Sequence, residues 1–234
     1  MRYVISDIHG CIKEYYALLE KINFSDEDHL YVLGDALDRG FDPIGVILDF
    51  MKRKNVTFIF GNHDYLFYYF VKTLGLELTE FHNEDEKWDF RSYIKDGALP
   101  TVDGFLELDE MERKTIFDYV GRAKPYDTVE CDGKKYILVH AGIAGFHENK
   151  DLDEYQALDF LSERIDYSRR YYTDENIYIV TGHTPTPFIR ADRRPEVYME
   201  NGHIAIDCGC AYGGQLAAYC IETGEVTYVG RIEE

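Results

Sequence analysis

The sequence predicts an α/β fold in which two packed, mixed β-sheets are flanked by helices and carry a small helical insertion. Two observations support this prediction. Through residue 60, short apolar runs alternate with amphipathic stretches, a pattern typical of parallel strands joined by right-handed crossovers. After residue 126, further apolar runs are separated by glycine-rich turns, which favours a second, mostly antiparallel sheet packed against the first.

The first half of the chain supplies three predicted strands and two helices. The strands cover residues 3–6, 30–33 and 56–60, and each is a short run rich in Val, Ile, Leu or aromatic residues. Between them lie an amphipathic helix over residues 11–22 and a helix over residues 43–54, which begins with an Asp-Pro cap. These five elements predict a parallel sheet.

The second half begins with a predicted helical insertion of approximately residues 65–125, whose aromatic stripe is typical of a packed core. A hairpin follows, turning at Asp132-Gly133 between strands at 127–131 and 134–139. A helix is predicted over residues 153–172. The closing strands are predicted at 177–180, 204–207, 216–221 and 226–229, all in the second sheet. Because the sequence contains no linker-like tract or internal repeat, we predict a single domain over residues 1–234.

The composition excludes several classes of protein. The formal net charge of the 234 residues is −19, and no basic stripe survives it, so binding to nucleic acid is disfavoured. No apolar run approaches the length of a membrane span, and the amino terminus lacks a signal-peptide pattern. Five scattered cysteines suggest reduced thiols in the cytoplasm. Cys208 and Cys210 are interpreted as strand or turn cysteines, because no second pair exists to complete a metal site.

Polar side chains follow five of the predicted strands, at the point where each strand ends. They form clusters at residues 7–9, 35–39 and 62–64, with His140 and His183 following later strands. Ligands of α/β sheets gather at the carboxyl ends of the strands, so these side chains are expected to meet there. Mixed imidazole, carboxylate and amide donors suit Mn, Fe, Zn or Ni better than calcium. One small cation cannot use this many donor atoms, so the set fits two cations that share one carboxylate. In such sites the two cations lie about 3.5–4 Å from each other.

Five motifs in order resemble those of the calcineurin-like metallophosphoesterases: D-x-H-G at residues 7–10, G-D-x-x-D-R-G at 34–40, G-N-H-D at 61–64, H-A-G at 140–142 and G-H-T at 182–184. The D-R-G ending, the G-H-T-P-T form and the tail at 206–216 are similar to bacterial phosphoprotein phosphatases and symmetrical dinucleoside tetraphosphatases. Pro185 replaces the metal-binding histidine of many phosphodiesterase members. The resemblance implies the two-sheet sandwich of that family.

The resemblance also implies roles for individual residues. Two divalent cations are expected, manganese first, with Fe, Zn, Ni or Co as alternatives. The implied ligands are Asp7, His9 and Asp35 for the first cation, and Asp35 (bridging), Asn62, His140 and His183 for the second.

Four further residues match catalytic positions of the family. Arg39 matches an arginine that grips phosphate with its planar fork, and Arg164 matches a second such arginine. His63 matches the general acid, and Asp64 the carboxylate that orients it. Asp38 is interpreted as a turn or supporting residue rather than a metal ligand.

Three functions follow from the resemblance. The first is a phosphatase that hydrolyses phosphoserine, phosphothreonine or phosphotyrosine in proteins, or a small phosphoester, by direct in-line attack of a metal-bridging hydroxide. The alternative is a symmetrical dinucleoside tetraphosphatase, since G-N-H-D is compatible with both. The third is a non-catalytic scaffold of the same fold, which the complete ligand set disfavours.

Overall fold

Two five-stranded β-sheets pack against each other in the computed structural model, which describes residues 1–232. The predicted fold of two mixed sheets flanked by helices is therefore confirmed. In chain order the strands are β1 (Arg2–Ile5), β2 (His29–Leu33), β3 (Val56–Ile59), β4 (Tyr126–Cys131), β5 (Lys134–Val139), β6 (Ile177–Thr181), β7 (Tyr198–Glu200), β8 (His203–Ala205), β9 (Gln215–Cys220) and β10 (Val226–Gly230). The first sheet has the order β10-β9-β1-β2-β3, and the second has the order β4-β5-β6-β8-β7.

Within residues 1–232, six α-helices lie on and beyond the first sheet. The first two, at Ile12–Lys21 and Pro43–Lys52, connect the parallel strands β1, β2 and β3, as the crossover pattern predicts. The other four lie between β3 and β4, where the helical insertion is predicted, with a wide turn at Ile94–Ala98 that kinks at Gly97 (φ 107°). The helices are α1 (Ile12–Lys21), α2 (Pro43–Lys52), α3 (Asn62–Leu74), α4 (Glu84–Tyr93), α5 (Leu99–Leu106) and α6 (Glu110–Val120).

Alternating side chains of the strands divide the core into layers. In β2, Leu30 and Val32 face the helices, whereas Leu33 faces the second sheet. In β6, Val180 packs between the sheets, and Ile179 packs beneath the segment around Phe160. This division follows from the two-residue period of a strand, and it buries both faces of each central strand.

The pairing of the closing strands differs from the prediction. β9 and β10 were expected in the second sheet, but they extend the first: Tyr219 of β9 pairs antiparallel with Val4 of β1. The second sheet is also less antiparallel than predicted, because β5, β6 and β8 run parallel and only its edge strands β4 and β7 run antiparallel.

The prediction of a helix over residues 153–172 is wrong. That segment forms two short 3₁₀ turns, Leu152–Glu154 and Ala157–Phe160, followed by irregular chain. Its tyrosines pack as separate anchors: the rings of Tyr167 and Tyr171 lie edge-on to the His203 ring, with centroids 5.4 and 5.2 Å away. None of the helices within residues 1–232 combines the length and the apolar character needed to cross a bilayer.

Candidate active site

The carboxyl ends of five strands converge at one end of the two sheets. Asp7 follows β1, Asp35 follows β2, Asn62 follows β3, His140 follows β5 and His183 follows β6. The cluster forms because parallel strands end at the same edge of a sheet, so that residues distant in sequence meet there.

Asp35 lies between two groups of donors. Its Oδ2 atom is 3.5 Å from Nε2 of His9, and its Oδ1 atom is 3.5 Å from Nε2 of His140. The two oxygens of one buried carboxylate therefore face different histidines, which is the arrangement that a bridging ligand requires. The donor atoms of Asp35, His140 and His183 lie within 4.8 Å of one another, as do those of Asp35, His9 and His63.

On the side of Asp35 that faces His140, two hydrogen-bond acceptors, a ring nitrogen of His140 and the amide oxygen of Asn62, face each other. The Nδ1–H of His140 donates to the carbonyl of Leu33 at 2.7 Å, which leaves Nε2 as an unprotonated acceptor. That nitrogen lies 2.9 Å from the Oδ1 atom of Asn62, whose oxygen is also 2.9 Å from Nδ1 of His183. Two lone pairs this close repel each other unless a cation lies between them, so these residues fit a divalent metal ion.

The electrostatics of the cluster also fit cations. Burial lowers the pKa of His9 to about 3 and that of His183 to about 4, so both imidazoles are neutral at physiological pH and can act as ligands. Burial together with the neighbouring carboxylates Asp207 and Asp35 raises the pKa of Asp7 well above its ordinary value. Burial likewise raises the pKa of Asp207 to about 7. Divalent cations would stabilise this group of buried carboxylates.

Asp7 takes a different position from the other predicted ligands. Its carboxylate accepts hydrogen bonds from the backbone N–H of His183 at 3.0 and 3.2 Å and from the hydroxyl of Ser6. Among residues 1–232, neither of the close donor groups around Asp35 includes Asp7. The structure therefore places Asp7 beside the cluster, where it joins the end of β1 to the loop that carries His183.

The backbone of the cluster is unusual. Six residues adopt positive φ angles of 46° to 69°, a region that side chains other than Asn and Asp rarely occupy. Glycines allow the chain to pass close to these residues: a Cβ atom at Gly61 would overlap the Asp35 carboxylate, and one at Gly182 would overlap Asp7. The six residues are Asp7, His9, Asp35, Asp38, Arg39 and His183.

His63 forms a hydrogen-bonded pair with Asp38. Its Nδ1–H donates to Oδ2 of Asp38 at 2.7 Å, and both side chains are buried. Although burial lowers the pKa of His63, the hydrogen bond that it donates to Asp38 and the charges of Asp35 and Asp38 raise this pKa above the ordinary value for histidine. Asp38 thus fixes the orientation of the imidazole and favours its protonated form.

The prediction that Asp64 orients His63 is wrong. Both Asp64 oxygens accept backbone N–H groups instead, from Asp35 at 2.7 Å and from Ala36, Leu37 and Gly61 at 3.0–3.1 Å. Asp64 therefore closes the amino terminus of α3 onto the loop after β2. Asp38 takes the predicted role, and the sequence interpretation of Asp38 as a supporting residue left its partner unidentified.

The helical region after β3 supports Asp38 and Arg39. The Oδ1 atom of Asp38 accepts hydrogen bonds from the hydroxyls of Thr101 at 2.6 Å and Tyr93 at 3.0 Å. The N–H of Arg39 donates to the carbonyl of Gly97 at 2.8 Å. These contacts place the turn after β2 against α4 and α5, so that those helices fix the side chains that face the cluster.

Arg39 reaches the cluster directly. Its guanidinium lies 2.6 Å from Nε2 of His9 and 2.7 Å from Nε2 of His63. Arg164 lies on the irregular chain after Phe160 rather than on a helix. Both Arg39 and Arg164 line the cavity above the cluster. Both arginines therefore border the space above the cluster, where an anionic group can be bound.

The cavity above the cluster has a volume of about 770 Å³. Two aromatic side chains that the sequence interpretation missed stand at its wall: Phe188 is 76% exposed and Tyr212 is 66% exposed. The guanidinium of Arg39 lies 5.1 Å from the centre of the Tyr212 ring. In the sequence, Phe188 could have been noticed because it follows the T-P-T-P run, and Tyr212 because it precedes two glycines. Other lining residues include Pro185, Pro187, Pro195, Asp207, Cys208 and Gly209.

A two-sheet α/β fold with His, Asp and Asn donors gathered at its strand ends fits a metal-dependent hydrolase. The calcineurin-like phosphoesterase model matches residues 2–229, and the chain belongs to that family. The family prediction is confirmed, and with it the expectation of a hydrolase that uses divalent cations.

Two relatives with similar sequences are dinucleoside tetraphosphatases by name. The chain is 29% identical to bis(5'-nucleosyl)-tetraphosphatase PrpE [asymmetrical] of Oceanobacillus iheyensis, covering 92% of this chain and 86% of the relative. It is 35% identical to the symmetrical bis(5'-nucleosyl)-tetraphosphatase of Buchnera aphidicola, over only 58% of this chain and 49% of that protein.

Among solved structures, a protein proposed to be a diadenosine tetraphosphatase superposes with a TM-score of 0.69, at 18% identity, covering 100% of this chain and 94% of that one. A serine/threonine phosphatase from Saccharomyces cerevisiae superposes with a TM-score of 0.61, at 12% identity, covering 100% and 80%. At these identities the structural likeness shows the fold alone.

Proposed function

We propose that this chain hydrolyses a phosphoanhydride bond of dinucleoside polyphosphates with the help of two divalent cations, manganese being the first candidate. One observation of the structure carries the proposal: the donor cluster opens into a cavity of about 770 Å³ whose wall includes Phe188 and Tyr212. Exposed aromatic rings beside bound phosphate suit a nucleobase, which stacks on them. The names of the relatives support the same substrate, and they favour it over the phosphoprotein that the sequence interpretation put first.

The cations, when bound, would activate water at neutral pH and offset the negative charge of the phosphate chain. The residues of the protein would do the rest. The forks of Arg39 and Arg164 would hold phosphate oxygens in line for attack. His63 would deliver a proton to the leaving oxygen, and Asp38 would keep the imidazole in position while it does so.

A phosphomonoester of a protein is the second candidate, and the buried pair of His63 and Asp38 favours it. A serine alkoxide is a strongly basic leaving group, so its departure depends strongly on a proton donor. A nucleotide leaves as a less basic phosphate anion, so its departure depends less on protonation. A fixed general acid is therefore of greatest use in the hydrolysis of phosphoserine or phosphothreonine.

A substrate panel tests the proposal. Manganese-loaded protein would be offered diadenosine tetraphosphate, a phosphoserine peptide, nitrophenyl phosphate and a nitrophenyl phosphodiester at equal concentrations. The highest kcat/KM is expected for diadenosine tetraphosphate, and chromatography of its products distinguishes equal from unequal cleavage. A higher kcat/KM for the phosphopeptide would overturn the first candidate in favour of the second.

Variants of the aromatic wall sharpen the panel. Phe188→Ala and Tyr212→Ala should raise KM for diadenosine tetraphosphate by about 5- to 100-fold each, since stacking on one base contributes roughly 1–3 kcal/mol. Nitrophenyl phosphate has no nucleobase and serves as the matched control, for which KM should change little. Equal changes for both substrates would show that the rings support the cavity rather than bind a base.

A cytoplasmic location is part of the proposal. All five cysteines are free thiols in the structure, which agrees with a reducing compartment. Small nucleotides are the partners that the proposal requires, while nucleic acid and membrane surfaces are not expected partners at a net charge of −19.

A further inference from the structure

A second group of potential metal ligands lies outside the active site. The sulfur atoms of Cys11 and Cys210 and a carboxylate oxygen of Glu14 lie within 4.8 Å of one another. All three residues are buried, with exposures of 6%, 2% and 6%. Cys210 was interpreted from sequence, with Cys208, as a strand or turn cysteine, but the structure brings it to Cys11, about two hundred residues earlier in the chain.

Local structure explains how the three side chains meet. Cys11 immediately precedes α1, and Glu14 lies in the first turn of that helix, so both face the same side. Cys210 begins a short 3₁₀ turn, Cys210–Tyr212, directly after Gly209, whose φ is 72°. The carboxylate of Glu14 also accepts the backbone N–H of Ile232 at 2.8 Å. Three separate parts of the chain therefore meet at Glu14.

The surroundings of Glu14 favour a cation. Within residues 1–232, Glu14 forms no ion pair with a lysine, arginine or histidine, although its side chain is buried beside two sulfur atoms. A cavity of about 170 Å³ borders the group, which leaves room for water as a further ligand. Lys13 and Arg231 line that cavity.

We propose that Cys11, Glu14 and Cys210 bind one zinc-class cation, separate from the two cations of the active site. Two thiolates and a carboxylate are a borderline-soft donor set that selects zinc over manganese or magnesium. Binding releases the two thiol protons to solvent and involves no change of oxidation state. The three anionic donors and Zn²⁺ carry a net charge of −1, which Arg231 at the cavity wall balances.

The spacing of the donors is compatible with a tetrahedral site. Zn–S bonds of about 2.3 Å and Zn–O bonds of about 2.0–2.2 Å place the donors of a tetrahedron about 3.5–3.8 Å apart. Donors that now lie within 4.8 Å of one another would need to approach by about 1.3 Å at most, which side-chain rotation can supply. The fourth position faces the small cavity and would be taken by water.

The site would connect α1 to the active-site wall. Residues 208–209 and 212–214 line the large cavity, and Cys210 lies between them in the same loop. A cation bound to Cys210 and to the first turn of α1 would fix this loop, including the exposed ring of Tyr212. Its role is therefore structural, and the active site does not depend on it for catalytic groups.

Cobalt substitution tests the proposal. Reduced, manganese-loaded protein would be titrated with Co²⁺, whose bond to a thiolate gives a charge-transfer absorption in the near-ultraviolet. The donors around Asp35 are nitrogen and oxygen atoms, so they give no such band. One equivalent of the band is expected in the wild type, with loss in Cys11→Ser and Cys210→Ser and retention in the matched controls Cys208→Ser and Cys220→Ser.

A second variant and a second measurement keep the test independent of folding defects. Glu14→Gln retains both thiols and should weaken cobalt binding about 10-fold or more, since even indirect partners of a metal contribute 10- to 100-fold. Zinc at about a hundredfold excess over its Kd should raise Tm of the wild type by roughly 5–10 °C more than that of Cys210→Ser.

Three results would overturn the proposal. They are the absence of a thiolate band in reduced wild type, a band that persists in Cys210→Ser but disappears in Cys208→Ser, and the loss of two titratable thiols without bound metal. The last would show that Cys11 and Cys210 pair as a disulfide instead. None of these results bears on the proposed substrate, because the substrate panel uses manganese-loaded protein without added cobalt or zinc.

Discussion

The two sides of Asp35 are built from different chemistry. On the side of His9, charged groups surround the histidine: Arg39 contacts it directly, and the pair of His63 and Asp38 lies beside it. On the side of His140, the neighbours are an amide and a second imidazole, with no charged side chain in the hydrogen-bond set of His140 among the described residues.

This difference predicts a separation of metal binding from proton transfer. The side of His140 offers neutral donors, of which His140 is fixed by the carbonyl of Leu33, so it is suited to hold a cation. On the side of His9, we expect Arg39 to bind phosphate and His63 to protonate the leaving group. Variants on the two sides should therefore fail in different ways, and five predictions test that difference in order of expected effect.

Asp35→Asn should have the largest effect, because Asp35 is common to both sides. We expect both cations to be lost and kcat to fall by roughly 10³-fold or more, the several kcal/mol that metal ions contribute to charge stabilisation. Metal content by elemental analysis and turnover check this result. His183→Ala is the one-sided control and should lose a single equivalent; two full equivalents in Asp35→Asn would end the bridging assignment.

His63→Asn should affect proton transfer without loss of metal. On a phosphoserine peptide, kcat should fall by roughly 10²–10⁴-fold, the usual range for general acid catalysis. On nitrophenyl phosphate the loss should be clearly smaller, because nitrophenolate leaves without a proton. Rates on both substrates and metal analysis are the measurements. Equal losses at full metal occupancy, with chemistry limiting both rates, would remove His63 from the acid role.

Arg39→Ala should weaken phosphate binding on the same side. A charge-assisted contact contributes about 1.5–3 kcal/mol, so kcat/KM should fall by roughly 10- to 100-fold. Inhibition by inorganic phosphate should weaken in parallel. Arg39→Lys is the matched control and should recover little, since a point charge does not replace the planar fork. Unchanged phosphate inhibition would instead assign Arg39 to its contacts with the two histidines.

Asp38→Asn should reduce kcat by about 10-fold, the lower end for a group that acts through its neighbour. It should also change the pH profile. The hydrogen bond and charge of Asp38 raise the pKa of His63, so the protonated acid persists to higher pH in the wild type. Without Asp38, the alkaline limb of kcat should move to lower pH. A profile that does not move would show that Asp38 only packs against Tyr93 and Thr101.

Asp64→Asn should have the smallest effect on chemistry and a clear one on stability. Its carboxylate accepts four backbone N–H groups, and an amide cannot accept all of them. We expect a loss of about 2 kcal/mol in the free energy of unfolding, which lowers Tm by roughly 5 °C. Calorimetry measures the loss. A leaving-group effect like that of His63→Asn would return Asp64 to the role first predicted for it.

Much of this site could be predicted because its residues stand at strand ends. Each of the first three strands is a short apolar run that stops at a polar motif, and parallel strands place such motifs together. The positions of Asp35, His140 and His183 in one cluster follow from that rule and from the family resemblance.

The exchange of Asp64 for Asp38 has a physical reason. Neighbouring residues on a helix point about 100° apart, so Asp64 cannot face the ring of His63 on the same turn of α3. The three-residue spacing from Gly61 to Asp64 instead lets the carboxylate return to the start of the helix, where it accepts the backbone N–H of Gly61 at 3.0 Å. This signal was present in the sequence.

Other errors concern contacts between distant residues. The tyrosines at 167 and 171 have helical spacing, but each packs separately on His203, which no local pattern reveals. The closing strands were recognised as strands, yet β1, the partner of β9, lies more than two hundred residues earlier. The same limit concealed the proximity of Cys11 to Cys210.

The six left-handed residues of the active site have a consequence for laboratory evolution. Each holds a left-handed backbone conformation that glycine adopts without strain. For a residue with a side chain, this conformation costs on the order of 1–3 kcal/mol. A library selected only for resistance to heat should therefore collect glycine at Arg39, while a library selected for turnover should reject it. That position would drift in opposite directions under the two selections, so substitutions that stabilise this enzyme against heat must be sought elsewhere.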